Sequence, residues 1–266
     1  ESIFFGYTSV DAAIRDFEDF PTVSVVAPLI KNPQIIMWDP ETYPDIESFS
    51  DIGETGAIVN VFANSVYMEY LISTGQLTAD QEDPSYDASP TRFVAEEGAI
   101  FQQGFATQEP WNYENLFEEW GKPVDFLLIH DSGYQPYTQP LGVRADLLED
   151  PAVQDCLTAL VPVVQQSIID FQNDPQPVID AIERALIDID DFWQLSQESM
   201  ANTVAVMAEL EIVGNEGDGT VGDFNLDRVQ ELIEQLDTEV GSVDVLEGLT
   251  PEDVVTNEYI DPSIGL

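Results

Sequence analysis

The sequence predicts an α/β protein, and three observations carry that expectation. Residues 2–29 run strand, helix, strand. Residues 57–101 form a second block of strand, helix, short helix and strand. From Pro151 onward the apolar spacing turns helical, with Val153, Leu157, Leu160, Val161, Val164, Ile168 and Phe171 recurring at a period of about 3.6. Strands that alternate with helices bury their apolar faces as a sheet covered by helices.

The first strand is SIFFG, residues 2–6. Ser9 is placed to cap a helix over 10–20, with Asp11 in the first turn, where the helix dipole favours negative charge. Pro21 ends that helix. TVSVVAPL at 22–29 is β-branched and almost wholly apolar, as a strand covered on both faces would be. Such a β-α-β opening implies a parallel pair joined by a right-handed crossover. QIIMW at 34–38 is another short apolar run, and residues 39–54, rich in Pro, Asp and Ser, read as a connection. AIVNVF at 57–62 is a strand. Asn64 or Ser65 caps a helix over 66–74, which Gly75 stops. A turn-rich segment at 82–90 leads to a short helix over 91–97.

The stretch GAIFQQGFATQEPWNY, residues 98–113, reads as a short buried strand that delivers Glu109 and Trp111 to one rim. VDFLLIH at 124–130 is a strand, residues 131–137 a turn with two aromatics, and 139–148 an extended stretch. Helices follow over 178–187, after Pro177, and over 191–210. A glycine-rich loop spans 214–222. It is oxygen-rich but lacks the alternating order of a calcium loop, so it reads as a polar connection. Asn225 caps a helix over 226–236, and TPEDVV opens a capped final turn.

Charge is the extreme feature: 52 acidic residues against 7 basic ones, a net charge of −45. Such a surface repels nucleic acid and anionic lipid. The acidic residues are spread along the whole chain, as on a solvated surface suited to high salt. Cys156 is the only cysteine, so no disulfide forms within one chain. His130 is the only histidine, which excludes a His-rich metal site. No metal and no cofactor are expected, nor is a membrane span, because no run of about 18 apolar residues occurs. His130, Asp131 and Ser132 are the residue types of a hydrolase triad, but neighbours in sequence rarely converge, and no nucleophile elbow is present.

Two longer stretches carry a family likeness. SYDASPTRFVAEEGAIFQQGFATQEPWNYE, residues 85–114, and VTNEYID, residues 255–261, resemble the type II extracytoplasmic solute-binding proteins of ABC importers. The similar branch is the one for nitrate, sulfonates, taurine and thiamine precursors. Gln102-Gln103-Gly104-Phe105 departs from that branch's usual motif of Gly, any residue, Val, Asp. The resemblance covers almost the whole chain through short motifs. It implies a two-lobed periplasmic-binding-protein-like clamp, each lobe a mixed sheet flanked by helices. Residues 1–38 with 140–266 would form lobe one and residues 39–139 lobe two, with crossovers at 34–43 and 134–141. The N-terminal part of lobe one's usual fold would be missing.

Ligands of open α/β sheets sit beyond the carboxyl ends of strands. By that rule the resemblance implies a binding set of Tyr7, Thr8, Ser9, Trp38, Asn64, Ser65, Glu109, Trp111 and Tyr134. Tyr7, Asn64 and Trp111 should then share one hollow. The implied partners are a small-molecule solute and an importer permease. The implied place is extracellular and at the cell surface, with the membrane reached only through an N-terminal anchor. No catalysis is expected. Arg92 and Arg144 are the basic residues weighed for an anionic ligand, though each is better explained as neutralising a neighbouring carboxylate. So few basic residues favour a neutral or cationic, aromatic or heterocyclic ligand. Two alternatives stand beside this: a structural or filament-forming surface protein, and an enzyme of the pyrimidine-precursor synthase type. Lys31, Lys122 and one histidine are a poor set for the latter.

Overall fold

The computed structural model describes residues 4–189, 195–216 and 219–266. Two sheets organise it. The first holds β1 (Phe5–Ser9), β2 (Thr22–Val26) and β8 (Thr138–Arg144) in the order β1-β8-β2. β8 runs antiparallel to both neighbours, with Phe5 opposite Val143, Ser9 opposite Thr138 and Thr22 opposite Arg144. The opening strands are therefore not the adjacent parallel pair that the sequence suggests. They run the same way, but a strand from far along the chain separates them. Gly142 permits this close fit, since a Cβ there would lie 2.9 Å from Thr22 Cγ2 and 3.0 Å from Thr8 Cγ2. A parallel bridge from Ser24 to Val255 extends the far side of β2. Between β1 and β2, α1 (Val10–Arg15) is shorter than the expected 10–20, because the chain tightens into turns from Asp16, with Phe20 N–H donating to Asp16 O at 2.8 Å.

The second sheet holds β3 (Gln34–Trp38), β4 (Val59–Asn60), β5 (Glu82–Asp83), β6 (Phe101–Phe105) and β7 (Asp125–Leu128), in the order β5-β4-β6-β3-β7. It is mixed: β5, β4 and β6 run parallel, and β3 is antiparallel to β6 and β7. β3 lies inside this sheet, and its apolar run is buried from Ile35 to Trp38. The chain thus leaves the first sheet at residues 27–33, ahead of the expected 34–43. It returns at 129–137. Around the second sheet stand α2 (Phe49–Thr55), α3 (Val66–Ser73), α4 (Thr91–Ala95) and α5 (Glu109–Asn115).

Among the described residues, α6 (Pro151–Asn173), α7 (Gln176–Ile189), α8 (Gln197–Glu209), α9 (Leu226–Glu239) and α10 (Pro251–Val254) follow. Part of the helix expected over 191–210 lies outside the described residues; α8 begins after a Ser196 cap. Asn225 caps α9 by accepting from Arg228 N–H, and Thr250 with Asp253 closes a capping box on α10. α6 covers the first sheet, packing Val153, Leu157 and Val161 with Val25, Val26 and Val143. By length and composition α6 is apolar enough to cross a bilayer, which the sequence reading had excluded. α8 instead packs Val206 and Leu210 beside Ile35, Met37 and Tyr113 of the second sheet's layer, so residues 140–266 do not all belong with the first sheet. α9 spans the two halves. Its buried Val229, Leu232, Ile233 and Leu236 join one cluster with Val10 and Ile14 of α1 and Met68 and Leu71 of α3.

Candidate ligand cleft

Where the two sheets meet, a cleft of about 360 Å³ opens. Ser9, Asp11, Arg15 and Thr138 enter it from the first half; Phe62, Asn64, Ser65, Tyr67, Gln103 and Phe105 enter from the second. The crossovers add Leu29, Asn32 and Pro33 on one pass and Tyr134 and Pro136 on the other. The strand-to-helix junctions β1–α1 and β4–α3 thus face the same space. Asn64 makes the second junction possible: its φ of 63° is the left-handed conformation that Asn tolerates better than most residues. Ser65 Oγ donates to Phe62 O at 2.7 Å and tightens that turn.

Polar groups in the cleft are unevenly satisfied. Asp11 Oδ2 accepts from Tyr134 OH at 2.8 Å, while Asp11 Oδ1 is buried and has no hydrogen-bond partner among the described residues. Burial, then the nearby Asp11 charge, pushes the Tyr134 phenol well above its ordinary range. Thr138 Oγ1 is likewise buried without a partner. Gln103 Oε1 accepts from Tyr67 OH at 2.7 Å and from Phe62 N–H at 3.1 Å. The Arg15 guanidinium is forked onto Asp16, at 2.8 and 2.7 Å. That hydrogen bonding raises the Arg15 pKa and lowers that of Asp16. Phe62 and Phe105 are each 37% exposed and supply apolar wall; Phe62 leans on Tyr86 with ring centroids 4.8 Å apart.

Of the residues expected to bind, Ser9, Asn64, Ser65 and Tyr134 meet in this cleft. The others do not. Tyr7 is 71% exposed on β1 and outside the cleft lining. Thr8 Oγ1 donates to the Ser9 carbonyl at 3.3 Å. Trp38 is buried in the core beside Phe101, because β3 is an inner strand rather than a crossover. Glu109, at the start of α5, folds back onto the end of β6: Oε2 accepts from Phe105 N–H at 2.7 Å, and a Cβ on Gly104 would come within 2.9 Å of Glu109 Cγ. Burial raises the Glu109 pKa. Trp111, on α5, lines a separate hollow of about 240 Å³ with Phe171 and Met200. Tyr7, Asn64 and Trp111 therefore share no hollow, since α5 carries Trp111 toward α8 and away from the junctions. Arg92 pairs with Asp83 at 2.6 Å and Arg144 with Asp146 at 2.5 Å, and neither lines the cleft.

Behind the crossovers sits a second polar centre built on Arg228 of α9. Its Nε donates to Gln135 O at 2.8 Å, and its Nη1 to Ile30 O at 2.7 Å and Glu216 Oε1 at 2.9 Å. Its Nη2 donates to Pro136 O at 3.3 Å, and the guanidinium lies 3.8 Å over the Tyr137 ring. One side chain therefore ties both crossovers. Tyr137 OH donates to Glu216 Oε1 at 2.5 Å and accepts from Asn225 N–H at 2.9 Å. His130 faces this centre with Nδ1 buried and without a partner among the described residues, and burial, aided by Arg228 and Lys31, lowers its pKa to about 4.

Sequence reasoning overlooked Asp11 and Gln103 as cleft residues, and Thr138 and Arg228 altogether. Gln103 had a signal: a polar residue inside a buried apolar strand needs partners. Arg228 is one of few cations, but its carbonyl partners are contributed by segments about 90 and 200 residues away in sequence.

No family model matches the chain, and no curated protein matches it. Solved structures do. The ligand-binding component of an ABC-type import system from Staphylococcus aureus, solved with zinc bound, superposes with a TM-score of 0.57 at 15% identity, over 97% of this chain and 79% of that one. A protein from Bordetella bronchiseptica RB50 gives 0.61 at 12% identity, over 97% and 79%. An ABC transporter structure from Parabacteroides distasonis gives 0.52 at 11% identity, over 93% and 80%. With two sheets, two crossovers and an intervening cleft, the chain has the two-lobed α/β fold of periplasmic-binding-protein type.

Proposed function

We propose that this chain is an extracellular solute-binding protein, which captures a small organic solute in the interlobe cleft and delivers it to an ABC importer permease. The observation that carries this reading is the cleft itself. Both crossovers and one strand-to-helix junction from each half converge on it, and ligands of two-lobed α/β proteins are trapped there by domain closure. Lobe one is then residues 4–33 and 138–266 without α8; lobe two is residues 34–132 with α8. A volume of about 360 Å³ lies toward the small end of ligand pockets, roughly 300–1,000 Å³. No catalysis is part of this reading: Ser132 Oγ donates to the Ile129 carbonyl at 2.6 Å, so it is held in its own turn. The nitrate and sulfonate branch remains a resemblance of short motifs. The acidic surface supports work in high salt, where the Debye length falls from about 10 Å at 0.1 M to about 3 Å at 1 M.

The test is a thermal-shift screen of a broad solute panel at high salt. A true ligand at one hundred times its dissociation constant stabilises by about 2.7 kcal/mol. A panel in which nothing stabilises the protein argues against binding. The structural-protein alternative has one observation in its favour, the exposed Val178, Ile182 and Ile187 on α7. Light scattering at high salt separates the two, since a solute carrier stays monomeric.

A further inference from the structure

We propose that the cleft selects an organic cation, an ammonium or amidinium group on a compact apolar body, and that Asp11 is the residue that reads the charge. The inference deepens the solute-binding reading and rests on it.

The cleft has one carboxylate with capacity left over. Asp11 Oδ2 is taken by Tyr134 OH, and Oδ1 is buried with no partner among the described residues. A buried carboxylate oxygen left without a donor is costly, and a charged donor is the partner that offsets most of that cost. Thr138 Oγ1, across the sheet from Ser9, is the second unpartnered acceptor on the same wall. Among the described residues the only basic one in the cleft is Arg15, already forked onto Asp16. Elsewhere Lys31, Arg92, Lys122, Arg144 and Arg228 are each in an ion pair, and none lines the cleft. A carboxylate or sulfonate would enter a site whose one cation, Arg15, is already engaged by Asp16 and whose one carboxylate, Asp11, would repel it. An organic cation meets Asp11 for its N–H groups and the half-exposed faces of Phe62 and Phe105 for its body, surfaces that attract cations as well as apolar groups. This is the reverse of the anion preference that the short-motif resemblance carries.

The test uses the full chain at high salt and four probes of one shape: benzylammonium, benzyl alcohol, benzoate and benzenesulfonate, each extended by a panel of its charge class. Organic ammonium ions should give the largest thermal shifts and the two anion classes none. Asp11→Asn should weaken ammonium binding about 10- to 100-fold, the range for a hydrogen bond to a charged group. Arg15→Ala should strengthen it severalfold by removing a like charge. Should Asp11→Asn fail to fold, Thr138→Val keeps the question open to answer, because it removes an unpartnered hydroxyl and should weaken ammonium binding without lowering the melting temperature. Benzenesulfonate binding that vanishes in Arg15→Ala would overturn the cation assignment and leave solute binding standing. Ammonium binding indifferent to both Asp11→Asn and Thr138→Val would overturn it too. Silence across every class would remove the solute-binding reading along with it.

Discussion

The second crossover has two faces, and they are built on opposite principles. On the cleft side, Tyr134 and Thr138 border Asp11, and two buried acceptors have no donor among the described residues. On the far side, the carbonyls of Gln135 and Pro136 accept from Arg228, and the Tyr137 hydroxyl is held between Glu216 and Asn225. Hydrogen bonds already made hold the scaffold. A buried polar group without a partner costs roughly 1–3 kcal/mol, which a guest that supplies the donor would offset.

The largest effect that would break this contrast is expected from Arg228→Met. It removes four donations and leaves Glu216 without its cation in a pair whose side chains are 11% and 15% exposed. The loss should be about 3–5 kcal/mol, read as a fall in denaturant midpoint with unchanged slope. Arg228→Lys should recover little, because a point charge cannot span the carbonyls that the planar fork reaches. A loss under about 1 kcal/mol would mean that the far side is not the rigid one. Tyr137→Phe comes next, at about 1–3 kcal/mol, since both Glu216 and Asn225 N–H lose a partner.

His130 sharpens the comparison through pH. Its folded pKa of about 4, lowered chiefly by burial, lies below an unfolded value near 6.5. The neutral form is therefore the one the fold prefers. Its contribution is fully present above about pH 6.5 and is lost as pH falls toward 4. Discounted for the partial exposure of the ring, this amounts to roughly 1–2 kcal/mol. Carboxylates titrate in the same window, so the measurement is the difference between wild type and His130→Gln from pH 7 to 4.5, where the variant should lack that part of the slope. The cleft should respond with the opposite sign: Thr138→Val, without solute, loses no bond and removes an unpaired buried hydroxyl, so stability should hold or rise, by at most about 1–3 kcal/mol.

The same contrast explains what could be read in advance. The α/β class, the α9 cap, the start of α3 at Ser65 (though without a side-chain cap) and most strands were legible, because apolar runs and capping residues are local signals. β3 was legible as a strand but not in its place, since only pairing with β6 and β7 puts it in the second sheet. In the cleft, Ser9, Asn64 and Ser65 were found because each sits at a strand-to-helix junction, a position visible in sequence. Tyr7 and Trp111 were misjudged because the side of a strand or helix on which an aromatic emerges depends on what packs there, and α8 arrives from some 90 residues away. Asp11 was seen as a helix-dipole residue; its vacant oxygen depends on Tyr134, which occupies the other one.

The guanidinium of Arg228 grips Ile30 on the outgoing pass and Gln135 with Pro136 on the returning one. Two ribbons that could each twist freely are thereby riveted into a single flexure. Swinging one half against the other must bend both together around that rivet, with α9 as its mount. On the solute-binding reading, the amplitude of any gape would then be limited at a point the guest never touches.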